Sequence, residues 1–91
     1  MTASPRTLTG RAAFLELLSS EGVDTLFGNP GTTELAIMEA LGDQSRIDYV
    51  LGLQEAVVVA MADGYARASG RLAACNVHVA PGLGNAMGSL Y

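Results

Sequence analysis

Three short apolar runs, at residues 23–27, 47–53 and 72–79, alternate with segments whose apolar residues recur at helical spacing, and that alternation leaves few folds open. Each run is nearly continuous in apolar character, the pattern of a strand covered on both faces. Such strands, separated by helices, form a parallel sheet with right-handed crossovers and helices on both faces, so the expected class is α/β. The first helical segment covers roughly residues 10–20. Thr9 or Thr7 can cap it, Ala12, Phe14, Leu15, Leu17 and Leu18 make one broad stripe, and Gly22 closes it. A Thr32 or Thr33 cap opens the second, which carries Leu35, Ile37, Met38 and Leu41 and ends within residues 42–45. The third runs from Glu55 to about Ser69, with Ala56, Val59, Ala60, Ala62 and Ala66 as a small-residue face and Gly70 as its stop. Pro81-Gly82-Leu83-Gly84-Asn85 reads as a turn, after which a last helix starts at Ala86.

A sheet of three short strands has bare edges, and a chain of 91 residues that is 49% hydrophobic and 15% charged carries more apolar surface than it can easily hide. The expectation is a truncated piece, or the ordered part, of a longer chain; a complete small βαβ domain is the alternative. All five basic residues are Arg and the formal charge is −4. The lack of Lys excludes a Walker A loop and a Schiff-base Lys, and five scattered arginines make no phosphate-neutralising patch, so no nucleic-acid partner is expected. Cys75 has no second Cys to pair with, and Cys75 and His78 together are too few for a zinc cage, so no metal-ligand set is expected in these residues. The first ten residues lack the apolar core of a signal peptide, and no run of about 18 apolar residues follows. Neither a membrane partner nor secretion is expected, and a cytoplasmic setting is the default.

Ligands of open parallel sheets sit beyond the carboxyl ends of the strands, where residues 28–33, 53–55 and 78–85 are expected to meet. The first segment, Gly28-Asn29-Pro30-Gly31-Thr32-Thr33, opens a helix whose N–H groups can face an anion or a ring edge, yet it matches no phosphate motif; a plain strand-to-helix turn is the alternative. Residues 82–88 look superficially like a dinucleotide fingerprint. Met87 stands where the third Gly belongs, which leaves a Rossmann-like nucleotide binder as a minority reading. Glu55 lies in the first turn of its helix just after a buried strand, where the helix dipole favours a carboxylate and burial disfavours it. Taken singly, each residue also has a plainer reading: Glu55 tops a helix, His78 is a satisfied polar group at a strand end, Cys75 is a small core residue, and Asp63-Gly64-Tyr65 is helix surface or packing.

Taken together, residues 22–31, Leu53-Gln54-Glu55-Ala56, residues 61–70 and residues 78–88 resemble, in order and spacing, the N-terminal part of thiamine diphosphate-dependent enzymes of the acetolactate synthase, pyruvate oxidase and benzoylformate decarboxylase group. The likeness extends from about Leu8 over nearly the whole chain. Gly28-Asn29-Pro30-Gly31, Asn76-Val77-His78 and residues 84–88 look most like the benzoylformate decarboxylases, whereas Pro81-Gly82 has the acetolactate synthase style. The resemblance implies that residues 1–91 are the N-terminal portion of a pyrimidine-binding domain roughly twice this length. Glu55 matches the residue that hydrogen-bonds N1′ of the cofactor aminopyrimidine and so promotes loss of the thiazolium C2 proton, after which a 2-keto acid is attacked and loses CO₂. Pro30 and Gly31 would lie against the pyrimidine, Asn85 would reach the cofactor or the loop around it, and His78 would face the substrate carboxylate or exchange protons with intermediates. Thr32 stands where the decarboxylase has a substrate-facing Ser and is a candidate substrate hydroxyl.

The same resemblance implies that thiamine diphosphate is held through Mg²⁺ on a C-terminal domain with an acidic Gly-Asp-Gly motif, which Gly42-Asp43-Gln44 does not supply. It also implies a second subunit across the cofactor, in a homodimer or homotetramer, with the apolar excess as interdomain surface. On that basis these residues alone should be inactive. The competing readings are a non-catalytic fragment that acts only by pairing with another chain, and the nucleotide binder.

Overall fold

The computed structural model describes residues 9–90. Thr7, the alternative first cap, and Tyr91, the end of the expected last helix, lie outside them. Helix α1 (Gly10–Ser20) leads into strand β1 (Thr25–Gly28); a 3-10 turn (Thr32–Glu34) runs into α2 (Leu35–Gly42), and β2 (Asp48–Leu51), α3 (Glu55–Ser69), β3 (Ala74–Asn76) and α4 (Val79–Leu90) follow. The sheet order is β2-β1-β3 and both pairs are parallel, with Phe27 opposite Val50 on one side and Cys75 on the other.

Neighbouring residues of a strand point to opposite faces, and β1 shows the two cores this creates. Leu26 joins Leu15, Leu41 and Ile47 under α1 and α2, while Phe27 joins Val58 and Ala62 under α3. The path of the chain explains the division. From β1 to β2 it steps one way through α2, and from β2 to β3 it steps back across β1 through α3. Crossovers of one hand running in opposite directions put their helices on opposite faces. The α/β class and the helices on both faces are as the sequence indicates.

Local signals set most helix ends. The Thr9 hydroxyl accepts the Ala12 N–H at 3.3 Å, and Gly22 adopts a φ of 91°, the left-handed region that releases the chain from α1. The Gln54 carbonyl accepts the Ala56 N–H at 2.6 Å to cap α3, and Gly70, at φ 70°, ends it after Ser69 as expected. Gln44 closes the link to β2: its carbonyl accepts the N–H groups of Arg46 and Ile47, and its amide donates to Leu41 and Ile47. The Tyr65 ring packs on Phe27 with centroids 5.6 Å apart, and its hydroxyl donates to Asp24, which also pairs with Arg71 at 3.2 Å. The Tyr65 hydroxyl, with lesser help from Thr25 and Arg71, holds the Asp24 carboxyl below the usual range.

Several expectations need correction. The strands are shorter than the apolar runs, since Val23 and Ile47 are buried without belonging to the ladder, and they are not all covered on both faces: β1 is buried throughout, whereas β2 and β3, at the sheet edges, are half-buried or exposed, and Leu51, Leu53 and Leu72 face out. Cys75 is exposed on edge strand β3 and is not a core residue. On α3 the fully buried residue is Val58, at 0% exposure, whereas Ala60 faces out; Phe14, Leu17 and Leu35 are exposed as well. Thr32 and Thr33 do not cap the second helix through their side chains: the chain enters by the 3-10 turn, with Gly31 at its cap position and its N–H donated to Glu34. The largest error is the final turn. Residues 81–85 lie inside α4, which begins at Val79, because Pro81 falls in the first turn where no intrahelical N–H is needed, and packing on α3 outweighs the low helix propensity of Gly82 and Gly84. Ala86 is wholly buried there, and the Ser89 hydroxyl donates to the Ala56 carbonyl at 2.9 Å. Among the described residues no helix is long and apolar enough to cross a membrane.

Candidate functional site

The register puts Gly28, Leu51 and Asn76 side by side at the carboxyl ends of the three strands, so the loops after them leave from one edge of the sheet. The three segments singled out in the sequence therefore converge. Glu55, the first residue of α3, is 7% exposed. The Asn85 side-chain amide donates to its Oε1 at 3.2 Å, and that bond, with the backbone N–H groups of Glu55 and His78, outweighs burial and holds the carboxyl below the usual range. The helix N-terminus favours the same ionised form. An acceptor-only carboxylate is thus stationed at the sheet edge.

Gly82 lets α4 approach this carboxylate, since a Cβ there would stand 2.7 Å from Glu55 Oε2. At an open helix position, replacing Gly by Ala stabilises by about 1 kcal/mol. Here the sign is expected to reverse. Gly82→Ala should lower stability by about 1–3 kcal/mol through overpacking, read as a lower denaturation midpoint in the full-length protein; a raised midpoint would show that α4 can step away freely.

His78 sits between β3 and α4 with its imidazole laid on Gly31, where any side chain would overlap the ring. Its Nδ1 lies 2.7 Å from Glu34 Oε2 and 3.3 Å from Thr33 Oγ1. The next residue, Val79, takes a φ of 54°, a left-handed conformation that β-branched residues rarely adopt, and the Gly82 N–H donates to the His78 carbonyl at 3.0 Å. The backbone that carries the imidazole is therefore a sharp, over-determined corner.

Glu34 is the member that sequence reasoning missed. Its side chain is 12% exposed; Oε2 accepts the Gly31 N–H at 2.7 Å and Oε1 accepts the Thr33 hydroxyl at 3.0 Å. Burial works to raise its carboxyl, but the bonds from Gly31, Thr33 and His78 together hold it below the usual range. The available signal was its spacing: an acid three residues after the loop-ending Gly31 is placed to return to that residue's N–H, half of a capping box. Tyr49 was missed too. It lies against Gly28 with its hydroxyl buried and without a hydrogen-bond partner among the described residues, and burial, then the charge of Glu34, pushes its pKa up.

Of the residues singled out beforehand, Glu55, Asn85 and His78 are joined through side-chain or backbone bonds, and Gly31 touches His78. Pro30 is half-buried in the same loop, and Thr32 is exposed at the head of the 3-10 turn. Among the described residues no group of three or more His, Cys, Asp or Glu could hold a metal ion. The donor set fits a planar heterocycle with a ring nitrogen to be hydrogen-bonded. It offers the ionised carboxylate of Glu55, a side-chain-free loop edge at Gly31 and the imidazole of His78 paired with Glu34.

Comparison with known proteins bears on this arrangement. A family model described as thiamine pyrophosphate enzyme, N-terminal TPP binding domain, matches residues 8–91. The benzoylformate decarboxylase of Pseudomonas aeruginosa is 49% identical over 82 residues, covering 90% of this chain and 15% of the relative. The mitochondrial acetolactate synthase catalytic subunit of Saccharomyces cerevisiae is 40% identical over 78 residues, covering 86% and 11%. The solved structure of the thiamine diphosphate-dependent 4-hydroxybenzoylformate decarboxylase from Rhodococcus jostii superposes with a TM-score of 0.84 at 43% identity, over 91% of this chain and 15% of that one. The chain thus spans less than a fifth of the length of the relatives it matches.

Proposed function

Because this chain belongs to the thiamine pyrophosphate enzymes, as their N-terminal TPP-binding domain, we propose that it works within a thiamine diphosphate-dependent 2-keto acid decarboxylase or carboligase, with Glu55 as the carboxylate that activates the cofactor's aminopyrimidine. The observation that carries this reading is the buried, ionised Glu55 at the edge where the three loops meet. When bound, thiamine diphosphate supplies a nucleophilic thiazolium carbon and an electron sink for the bond pair left behind when CO₂ departs. This chain's residues do the rest. Glu55 holds a proton at the ring nitrogen it faces, Pro30 and Gly31 bound the ring, Asn85 keeps Glu55 oriented, and His78 moves protons at the substrate side. Thr32 is the substrate hydroxyl of this reading.

The diphosphate and its Mg²⁺ are assigned to a further domain, and the second wall of the site to another subunit of a homodimer or homotetramer. The exposed apolar side chains of Leu53, Val57, Leu83 and Met87 on α3, α4 and the loop before them support such a cover. A cytoplasmic location belongs to the same reading. Substrate trials should begin with aromatic 2-keto acids, on the likeness to the benzoylformate decarboxylases; condensation of two keto acids is the second activity to assay, on the likeness to acetolactate synthases.

A ligand that binds only the native state stabilises it, by about 2.7 kcal/mol at a hundred times its Kd. The full-length protein should therefore unfold at a clearly higher temperature with thiamine diphosphate and Mg²⁺ than with either alone. A rise with NAD or ATP instead, and none with thiamine diphosphate, would overturn the assignment in favour of a nucleotide binder.

A further inference from the structure

Glu34 is joined to two elements of the site by a single oxygen, since its Oε2 lies 2.7 Å from both the Gly31 nitrogen and His78 Nδ1. We propose that Glu34 is a positioning residue that fixes His78 as the Nδ1–H tautomer, so that Nε2 is the nitrogen through which His78 exchanges protons, and that it locks the imidazole to the Gly31 loop. This rests on the role given to His78 above, and deepens it.

The hydrogen-bond inventory carries the argument. An ionised carboxylate only accepts, so the proton in the 2.7 Å contact belongs to the imidazole. Thr33 cannot supply it instead. Its single hydroxyl proton is committed to Glu34 Oε1 at 3.0 Å, which leaves only lone pairs to face Nδ1 at 3.3 Å. A neutral imidazole protonated at Nδ1 carries its one free lone pair on Nε2. The bond from Gly31 fixes Oε2, and the ring lies directly on Gly31, so loop and imidazole keep one geometry. A carboxylate serving only as the cap of the 3-10 turn would need the Gly31 contact and not the His78 one. The flipped ring would set Cδ2 against Glu34 and lose the bond, so the orientation is fixed and the tautomer is the quantity to measure.

The test uses the full-length holoenzyme and its Glu34→Ala and Glu34→Gln variants. Neutron diffraction from deuterium-exchanged crystals should show the exchanged proton on His78 Nδ1 in the wild type, at a pH where the ring is neutral. In Glu34→Gln the amide oxygen can take the place of Oε2 and accept from both Gly31 and Nδ1, so the tautomer should be kept; in Glu34→Ala, which leaves no carboxylate beside Nδ1 and frees the Thr33 hydroxyl to donate to it, the proton should redistribute to Nε2. Turnover should fall about tenfold or more in Glu34→Ala, whereas C2 proton exchange of bound thiamine diphosphate, which depends on Glu55, should change by less than about threefold. Adding Glu34→Ala to His78→Ala should cost no more than about twofold, because residues that act as a unit are non-additive. A proton on Nε2 in the wild type, an unmoved tautomer in Glu34→Ala, or additive losses in the double variant would overturn the proposal while leaving His78 in its role. Full turnover in His78→Ala would overturn that role, and this proposal with it.

Discussion

Glu55→Gln is expected to abolish most activity of the full-length enzyme while leaving its fold and its affinity for thiamine diphosphate nearly intact. Gln matches Glu in volume, and its carbonyl can still accept the 3.2 Å bond from Asn85, so neither packing nor the contact with α4 is lost. What disappears is the negative charge. A carboxylate at a ring nitrogen stabilises the protonated ring and so favours the imino form of the amino group, whereas an amide accepts or donates without relaying the proton. The bonds from Asn85 and the backbone, which hold this carboxyl below the usual range, keep the charge in place at neutral pH. C2 hydrogen–deuterium exchange of the bound cofactor, followed by quenched-flow NMR, should slow by about two to four orders of magnitude, the span of general acid–base catalysis. Exchange at the wild-type rate, with the cofactor bound, would remove Glu55 from the mechanism.

His78→Ala is the second large effect and should separate from the first by the step it touches. Removing the imidazole leaves Glu55 its side-chain partner Asn85, so cofactor binding and C2 exchange should stay close to wild type. Turnover of a 2-keto acid should fall by about 100-fold or more, the contribution of one positioned proton donor and acceptor. Single-turnover kinetics, with substrate mixed against saturated holoenzyme, read this directly. Wild-type turnover would return His78 to the role of a polar group satisfied by Glu34.

The comparison of these two residues shows how much of the site was legible in the chain. Glu55 was singled out because a strand ends just before it and a helix opens on it, yet those local signals fit a plain helix-topping acid equally well, and its role came from the family resemblance. His78 was found for its uniqueness and its place after an apolar run. Glu34 was passed over because its importance is not local. Three residues after Gly31 it looks like any acid in a first turn, and only the return of the chain through β3 brings His78 to it from 44 positions away. Tyr49 was missed for the same reason, since its contact with Gly28 arises from strand pairing.

Helix α4 shows the opposite failure, in which strong local signals mislead. Pro81, Gly82 and Gly84 describe a turn to any reading of propensity, and the chain is nonetheless helical from Val79 to Leu90. Burial of Ala86 and the bond from Ser89 to Ala56 tie the helix to α3, and Gly82 is needed where Glu55 Oε2 leaves no room for a Cβ. A residue chosen for close approach carries the same letter as one chosen for a turn.

By itself, then, the sequence determined the order of strands and helices, the parallel two-faced sheet, the ends of α1 and α3, and the edge at which function gathers. These follow from hydrophobic periodicity and caps, which act over one or two turns of chain. Only the tertiary structure decided which apolar residues lie inside, that the final Gly-rich segment is helix, and that Glu34 holds both Gly31 and His78. Those outcomes depend on contacts between residues some 30 to 45 positions apart, and such contacts exist only once the β2-β1-β3 order has brought the loops to one edge.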